Sequence, residues 1–431
     1  MSFQQGLSGL NAASKNLEVI GNNVANSNTF GAKSSRAEFA DVYANALNGA
    51  GTNQIGIGVT LQTVAQQFTQ GPITVTDNPM DLAINGAGFF QVSDGKSPTM
   101  YSRNGQFKVD KDGFVVNNNQ LKLLGYPADA TGVIQPGLAL PLQLPTAGIG
   151  PRATDSITME MNLDTRAKVT LPSGSPQVDF ANPSTYNNAT SQTVYDAKGQ
   201  NVALTYYFQK ALVGNPSALP PTLDTWNVYV TANGTPLQGT VAAPLPVGTL
   251  AFPSNGTAPD PSSTLPATID IPTSFNSAGA ATLAIPGVKL NLAKTTQYGA
   301  SFGVTNITQT GWAPGQLASL NIENNGVVLA RYSNGQSKPA GQIEIANFRN
   351  PQGLQPLGGN TWSLTFSSGD PIVGTPGDGS LGVMQSGALE ESNVDLTAEL
   401  VNMVTAQRVY QANAQTIKTQ DQVLQTLVNL R

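Results

Sequence analysis

The side chains that could carry catalysis are few, and their spacing does not complete a catalytic set. Residues 299–303, Gly-Ala-Ser-Phe-Gly, match the G-x-S-x-G turn that exposes a nucleophilic serine in α/β-hydrolases. The hydroxyl of Ser301 would need a base to take its proton, histidine in that family, and the chain contains no histidine. The sequence therefore predicts a glycine-flanked strand end at this position and a protein that is not an enzyme.

Metal and phosphate sites have equally weak support. Residues 110–113, Asp-Lys-Asp-Gly, resemble the start of a calcium loop, but no glutamate closes the loop, and Asp-Gly favours a hairpin turn. The Gly-x-Gly pairs at 56–58 and 86–88 are too short to cradle a phosphate. Adjacent Glu390 and Glu391 point in different directions, and solvation accounts for them. Since cysteine is also absent, we expect no metal and no cofactor.

Composition excludes further classes of function. The formal net charge is −5 and the sequence pI is about 4.8, so the chain lacks the basic surface that binds nucleic acid. No run of about 18 apolar residues predicts insertion into a membrane, and the start of the chain lacks the features of a cleaved signal peptide. The 44 glycines and 29 prolines, with only 11% charged residues, favour many short strands in two or three domains.

Both ends of the chain are predicted to be helical. Apolar residues recur there at alternating steps of four and three, which is typical of a coiled-coil stripe, and Asp395 supplies a helix-capping side chain. Such stripes are either ordinary amphipathic faces or surfaces that pack on each other or on neighbouring copies, and their terminal position favours the second reading. The predicted self-assembly seam comprises Phe3, Leu7, Leu10, Leu17, Val24, Leu396, Leu400, Met403, Tyr410, Ala414, Ile417, Leu424 and Val428.

The region between the ends is predicted to form strands and turns. Asn-Gly and Asp-Gly pairs predict hairpins at 81–92, at 101–116 and, through Asn324-Asn325-Gly326, at 320–332. A separate block begins near Gly150 and alternates cleanly at 204–208 and at 226–230. The Pro- and Thr-rich stretch 236–272 is predicted to form loops more than regular structure.

These patterns predict a fold that is mainly β with α-helical termini and nested domains. The terminal helical coiled-coil domain is predicted at 1–27 plus 393–431. A linker segment is predicted at 28–71, after the first helix. A discontinuous β-rich inner domain is predicted at 72–148 plus 295–392, with an inserted outer β-domain at 149–294.

Two long motifs resemble the signatures of the flagellar rod and hook protein family. The first is residues 17–31, LEVIGNNVANSNTFG, and the second begins at residue 387 with GALEESNVDL and continues through residue 413. The chain departs from the family pattern at Ala32, where an aromatic residue usually precedes the lysine. The motif residues that match are Asn22, Asn23, Ala25, Asn26, Asn28, Thr29, Gly31 and Lys33.

The internal segments 101–107, 124–127 and 341–348 are similar to the hook members of the family more than to its rod members. This resemblance implies a structural subunit that polymerises into a hollow, curved, flexible tube, a universal joint that transmits torque from rod to filament in motility. It implies terminal helices that form an inner coiled-coil layer around an export channel.

The resemblance also implies an extracellular place in the hook of the bacterial flagellum, as part of the basal body. Export would use the flagellar type III apparatus, without a cleaved signal peptide. The implied partners are further copies of the chain, a hook-cap protein, and the distal rod and hook–filament junction proteins. A distal rod subunit, which would build a straight tube, is the nearest alternative, and an extracellular β-rich adhesin is an alternative of another class.

Overall fold

The computed structural model describes residues 2–42, 56–171, 177–215, 217, 222–276 and 278–429, and the side chains of these ranges from residue 3 to residue 426. Two α-helices lie at the ends of the chain, α1 (Ser2–Ala25) and α2 (Leu396–Asn429). Single 3-10 turns occur at Pro183–Thr185 and Pro351–Gly353. The predicted cap of the second helix is confirmed, because the Asp395 carboxylate accepts hydrogen bonds from the backbone N–H groups of Thr397 and Ala398.

The rest of the described chain is rich in strands, so the predicted mainly β fold with helical termini is confirmed. The strands up to residue 146 are β1 (Ser35–Val42), β2 (Gly58–Gln66), β3 (Ile73–Val75), β4 (Leu82–Asn85), β5 (Phe89–Ser93), β6 (Met100–Ser102), β7 (Phe107–Val109), β8 (Val115–Asn117), β9 (Lys122–Pro127) and β10 (Leu140–Pro141). The strands between residues 147 and 316 are β11 (Ser156–Asn162), β12 (Asn188–Tyr195), β13 (Asn201–Leu212), β14 (Asp224–Ala232), β15 (Thr235–Pro236), β16 (Gly239–Thr240), β17 (Ala243–Pro244), β18 (Gly248–Phe252), β19 (Thr268–Ile271), β20 (Ile285–Asn291) and β21 (Gly303–Gln309). The strands from residue 317 onwards are β22 (Leu317–Ile322), β23 (Val327–Tyr332), β24 (Ser337–Ile343), β25 (Ile345–Asn347), β26 (Gln355–Gly358), β27 (Thr361–Ser363), β28 (Ile372–Gly374), β29 (Val383–Ser386) and β30 (Ala388–Glu390).

The chain divides into two compact units. The first unit contains the residues up to Thr146, Ala318–Arg331 and the residues from Ser337 onwards, and the second contains Ala147–Leu317 and Tyr332–Gln336. The second unit therefore extends beyond the predicted end of the inserted domain at residue 294. The reason is that β21 pairs antiparallel with β11, which brings the chain back into the same sheet.

The first unit is built around a sheet whose main path runs β22-β23-β24-β9-β5-β6-β27-β26. Two predicted hairpins are present: β7 pairs with β8 across Asp112-Gly113, and β22 lies beside β23 across residues 323–326. The hairpin predicted across Asn85-Gly86 is wrong. There, β4 pairs with β29 while β5 pairs with β6, β9 and β25, because the partners that bury these strands lie far along the chain.

The Asn104-Gly105 pair is likewise not a hairpin turn. The carbonyl of Gly105 accepts a hydrogen bond from the backbone N–H of Leu82 at 3.0 Å. A Cβ atom built on Gly105 would lie 1.7 Å from the carbonyl oxygen of Leu82, so two backbones meet here at a distance that only glycine permits.

The second unit contains two main sheets, of order β19-β20-β11-β21 and β12-β13-β14-β15 with β18 beside β14. The predicted alternation is confirmed, because Leu204, Tyr206 and Phe208 of β13 are fully buried. Trp226, Val228 and Val230 of β14 are buried in the same core, together with Ile157 and Met159 of β11. The stretch 236–272, predicted to form loops, carries the strands β16 to β19.

Candidate functional site

The two terminal helices pack against each other through small side chains. Asn23 of α1 lies beside Glu399 of α2, whereas Gly6 lies beside Ile417, so the helices run antiparallel. On α1 the buried positions include Gly6, Ala13 and Ile20, which are spaced by seven residues, as expected for a coiled-coil contact.

The close approach of the helices depends on glycine. A Cβ atom built on Gly6 would lie 3.1 Å from Cγ1 of Ile417, and one built on Gly9 would lie 2.8 Å from Oδ1 of Asn413. On α2, Ala406 is buried against α1, and its short side chain has the same effect. These small residues allow the two helix axes to lie close together. Because small residues bury little apolar area, the contact contributes little hydrophobic stabilisation.

The predicted seam coincides only in part with the contact between the two helices, since Ile417 of the seam packs against Gly6 of α1. In α1, Phe3 and Leu7 are exposed, and Leu10, Leu17 and Val24 are partly buried. In α2, Leu396, Leu400, Tyr410 and Leu424 are exposed, while Met403, Ala414 and Ile417 are partly buried. The side chain of Val428 lies outside the described residues. The most buried of the described side chains of α2 is that of Ala406, which the sequence did not single out and which lies on the same face as Met403 and Ile417.

An apolar patch remains on the outer side of the first turns of α2. Leu396, Leu400, Val401 and Val404 form one stripe at helical spacing, and their exposed fractions are 44%, 47%, 62% and 50%. We call these four residues the outer patch. An apolar helix stripe of this kind is stable when another apolar surface covers it.

Asn23, one of the motif residues, joins three elements. It is 3% exposed. Its side chain donates to the carbonyl of Ser35 at 2.8 Å and accepts from the N–H of Ser35 at 2.8 Å, which ties α1 to the start of β1. The same amide donates to the carboxylate of Glu399 in α2 at 3.0 Å. Asparagine suits this position because one side chain supplies both a donor and an acceptor.

Asn393, just before α2, has a similar role. Its carbonyl oxygen accepts from the backbone N–H of Ser34 at 2.7 Å. Its amide donates to the backbone carbonyl of Gln67 at 2.8 Å and to Oγ1 of Thr69 at 2.8 Å. Asn393 therefore connects the residues that precede α2 to the chain just before β1 and to the chain just after β2.

The remaining motif residues form the turn that leads out of α1. Asn22 and Asn26 hydrogen-bond to each other one turn apart, and the backbone N–H of Thr29 donates to the carbonyl of Asn26. Ala25 and Asn28 are exposed in this turn. Gly31 has φ +69°, and its N–H donates to the backbone carbonyl of Glu390 at 2.8 Å. A Cβ atom on Gly31 would lie 2.5 Å from the backbone nitrogen of Asn104, so glycine is required there.

Beneath this turn lies a buried cluster of three charged residues, Lys33, Arg103 and Glu390, which we call the charge cluster. Nζ of Lys33 lies 2.6 Å from Oε1 of Glu390, and a guanidinium nitrogen of Arg103 lies 3.2 Å from Oε2. The Glu390 side chain is fully buried and also accepts from the backbone N–H of Gly71 at 3.0 Å. The sequence-based assignment of Glu390 to a solvated surface is therefore wrong.

The two cations outnumber the carboxylate, and backbone carbonyls accept further hydrogen bonds from both, while the buried Nε of Arg103 has no partner among the described residues. Lys33 donates to the carbonyl of Thr69 at 2.9 Å, and Arg103 donates to that of Gly86 at 3.0 Å. The guanidinium of Arg103 also lies over the ring of Phe89, 5.2 Å from its centroid. Burial lowers the pKa of Lys33 and that of Arg103, and the negative charge of Glu390 partly offsets this effect.

The charge cluster connects segments that are distant in the sequence. Lys33 follows the turn after α1, Arg103 follows β6 of the central sheet, and Glu390 ends β30 shortly before α2. Removing one partner of a buried ion pair strongly destabilises the fold, since the other charge stays buried without a partner. The cluster therefore holds both helix-bearing ends of the chain on the sheet of the first unit.

The residues considered for catalysis and metal binding are placed elsewhere. Ser301 is exposed in the loop before β21. Asp110 caps its own turn by accepting from the N–H groups of Asp112 and Phe114. Within the described ranges, no group of three or more Asp or Glu side chains is placed to hold a metal ion. Nor is either helix, as far as it is described, long and apolar enough to cross a membrane.

Ala32, where the sequence departs from the family pattern, is buried beside a cavity of about 230 Å³. The cavity lies between the end of α1 and the β26–β27 hairpin, and Trp362 and Gln66 are among its lining residues. A small side chain at this position leaves space that a larger one would occupy.

Four family models match the chain. They are the flagella basal body rod protein model at residues 3–33, the flagellar hook protein FlgE/F/G D1 domain at 83–178, the flagellar basal body protein FlaE D2 domain at 162–312, and the flagellar basal body rod FlgEFG protein C-terminal model at 385–430. The first and last of these cover the two helices and the turn that contains Lys33.

Full-length relatives give the same result. The chain is 41% identical over 445 residues to the flagellar hook protein FlgE of Escherichia coli K12, with 100% of both chains covered. It is 32% identical over 436 residues to the FlgE of Rhizobium meliloti, covering 100% of this chain and 98% of that one. Among solved structures, the Helicobacter pylori flagellar hook protein FlgE2 shares the fold, with a TM-score of 0.55 at 15% identity over 72% of this chain and 99% of that one.

Proposed function

The chain belongs to the flagellar hook protein family and is a structural subunit of the hook, and from this premise we propose how it assembles. Copies of the chain polymerise into a hollow, curved and flexible tube that transmits torque from rod to filament. The paired helices α1 and α2 form the inner layer of this tube, and neighbouring copies cover the outer patch.

The outer patch is the observation that carries this proposal. Its four apolar side chains are exposed although the helix that bears them is already paired with α1. Fully burying a leucine or valine contributes about 1.5–3 kcal/mol, so covering the patch would favour association. Two further predicted seam residues of α2, Tyr410 and Leu424, are exposed as well, which supports a role for this face in contacts between copies.

The charge cluster has a mechanical role in this proposal. Torque must pass between the helical layer and the sheet of each subunit, and the cluster fastens Lys33 and Glu390, close to the two helices, to Arg103 in the sheet. Since breaking such a buried pair is costly, the connection resists separation when torque is applied. Flexibility of the tube then arises from contacts between subunits that exchange as the tube bends.

We propose the partners and location that membership of the family implies. The chain leaves the cell through the flagellar type III export apparatus without a cleaved signal peptide, and it assembles beneath a hook-cap protein in the extracellular hook. The tube meets the distal rod at one end and the hook–filament junction proteins at the other. A straight polymer in electron micrographs would contradict the proposed curved tube.

Replacing Leu400 by Asp tests the outer patch. Polymerisation would place the new carboxylate, without a partner, in a contact between copies, so we expect no tubes at concentrations where the native chain forms them. Sedimentation and negative-stain electron microscopy measure this. The monomer should unfold at an unchanged temperature, because Leu400 is 47% exposed and contributes little to the fold of a single chain.

The matched control is Thr416→Asp, which adds the same charge to the same helix at an exposed polar position about 160° away from Leu400 around the helix axis. We expect this variant to form tubes. Tubes formed by Leu400→Asp at the native concentration would contradict the proposed role of the patch.

A further inference from the structure

A stretch of the first unit carries no charged side chain at all. Residues 350–369 read NPQGLQPLGGNTWSLTFSSG and include no Asp, Glu, Lys or Arg. The stretch contains the 3-10 turn Pro351–Gly353 and the β26–β27 hairpin, and it ends in a tight turn at 365–368. Three large apolar residues of this uncharged segment are exposed, namely Leu357, Leu364 and Phe366.

The turn that carries Phe366 is held on both sides. Thr365 donates through Oγ1 to the carbonyl of Gly353 at 2.6 Å, and its own carbonyl accepts from Oγ of Ser368 at 2.8 Å. On the other side of Phe366, the carbonyl of Ser367 accepts from the amide of Asn350 at 3.0 Å. Ser368 is 1% exposed, so the base of the turn is packed into the unit.

Phe366 itself has no cover. Its side chain is 104% exposed, which is as accessible as in an extended peptide, whereas the other aromatic residue of the segment, Trp362, is 2% exposed. The hydrogen-bonded turn fixes the position from which the ring projects. A ring held in this way binds a partner with little further loss of backbone entropy, and aromatic residues are among those that dominate protein interfaces.

The charge of the chain indicates what covers this ring. Each copy carries a net charge of −5, so two copies repel at their acidic surfaces and approach most easily where no charge is present. The uncharged segment meets this condition. We propose that Phe366 is an anchor by which one copy of the chain contacts the next in the polymer, an inference that rests on the proposed function.

Replacing Phe366 by Ala tests the anchor. We expect the concentration needed for polymerisation to rise about tenfold, because the variant loses the burial of one aromatic side chain per subunit. The melting temperature of the monomer should not change, since the ring is not packed in its own chain. Ser367→Ala is the matched control, because Ser367 is exposed in the same turn and its hydroxyl makes no hydrogen bond there; its polymerisation should match that of the native chain.

A second measurement follows the site directly. The chain has no cysteine, so Phe366→Cys creates a unique position for an environment-sensitive fluorophore. On co-polymerisation with an excess of native chain, the emission should shift to shorter wavelength. A label that stays in water within native tubes, or a Phe366→Ala variant that polymerises at the native concentration, overturns the anchor alone. Failure of the native chain to polymerise overturns the proposed function as well.

Discussion

At the scale of single residues, the charge cluster is the feature on which the first unit most depends. Glu390→Gln would leave Lys33 and Arg103 buried without a negative partner. We expect the free energy of unfolding of the first unit to fall by about 3–5 kcal/mol. Urea unfolding followed by circular dichroism, with the native chain in parallel, measures the change.

Glu391→Gln is the control for this prediction, since it removes the same charge one position later. The side chain of Glu391 is partly exposed and forms no ion pair in the structure. Its replacement should change stability by about 0.5 kcal/mol or less. Equal effects of the two substitutions would show that the cluster contributes no more than a surface charge.

At the scale of elements, the paired helices α1 and α2 are expected to be the least stable part of an isolated monomer. Their contact relies on Gly6, Gly9 and Ala406, and it buries little apolar area. We predict that trypsin cuts the monomer first within residues 1–25 and 395–431, after Lys15, Arg408 and Lys418. Mass spectrometry of timed digests identifies the cuts.

Lys108 serves as the internal control for this digestion. It is exposed, but it lies within β7, which is paired with β8, so cleavage there should be slow. In polymerised material the helical sites should become resistant too. A monomer whose ends survive as long as its sheets would refute the expectation that the helices are secured by neighbouring copies.

At the scale of the whole molecule, the second unit has a core of its own. Trp226, Phe208 and Ile157 are fully buried in a cluster formed by strands of that unit. We therefore expect a fragment of residues 147–317 to fold alone and to unfold cooperatively in urea. The Phe208→Ala fragment should be about 3–5 kcal/mol less stable, and a non-cooperative transition in the unmodified fragment would contradict the prediction.

The sequence alone determined the features that depend on near neighbours in the chain. Alternation of buried and exposed residues predicted β13 and β14, a repeat of four and three predicted both helices, and Asp395 marked the start of α2. Two long motifs were enough to indicate the family. These signals are local, because helix and strand periodicity and capping act over a few residues.

The tertiary structure decided which distant segments meet. Asn85-Gly86 has the chemistry of a hairpin turn, yet β4 pairs with β29, since turn residues permit a hairpin without specifying which strand completes the sheet. The same is true of Glu390, which lies 357 positions from Lys33 in the chain and in direct contact with it in the fold. Periodicity also could not show that Ala406 is the most buried of the described side chains of α2, because alanine adds little to an apolar pattern, whereas a short side chain is what permits the close approach of α1.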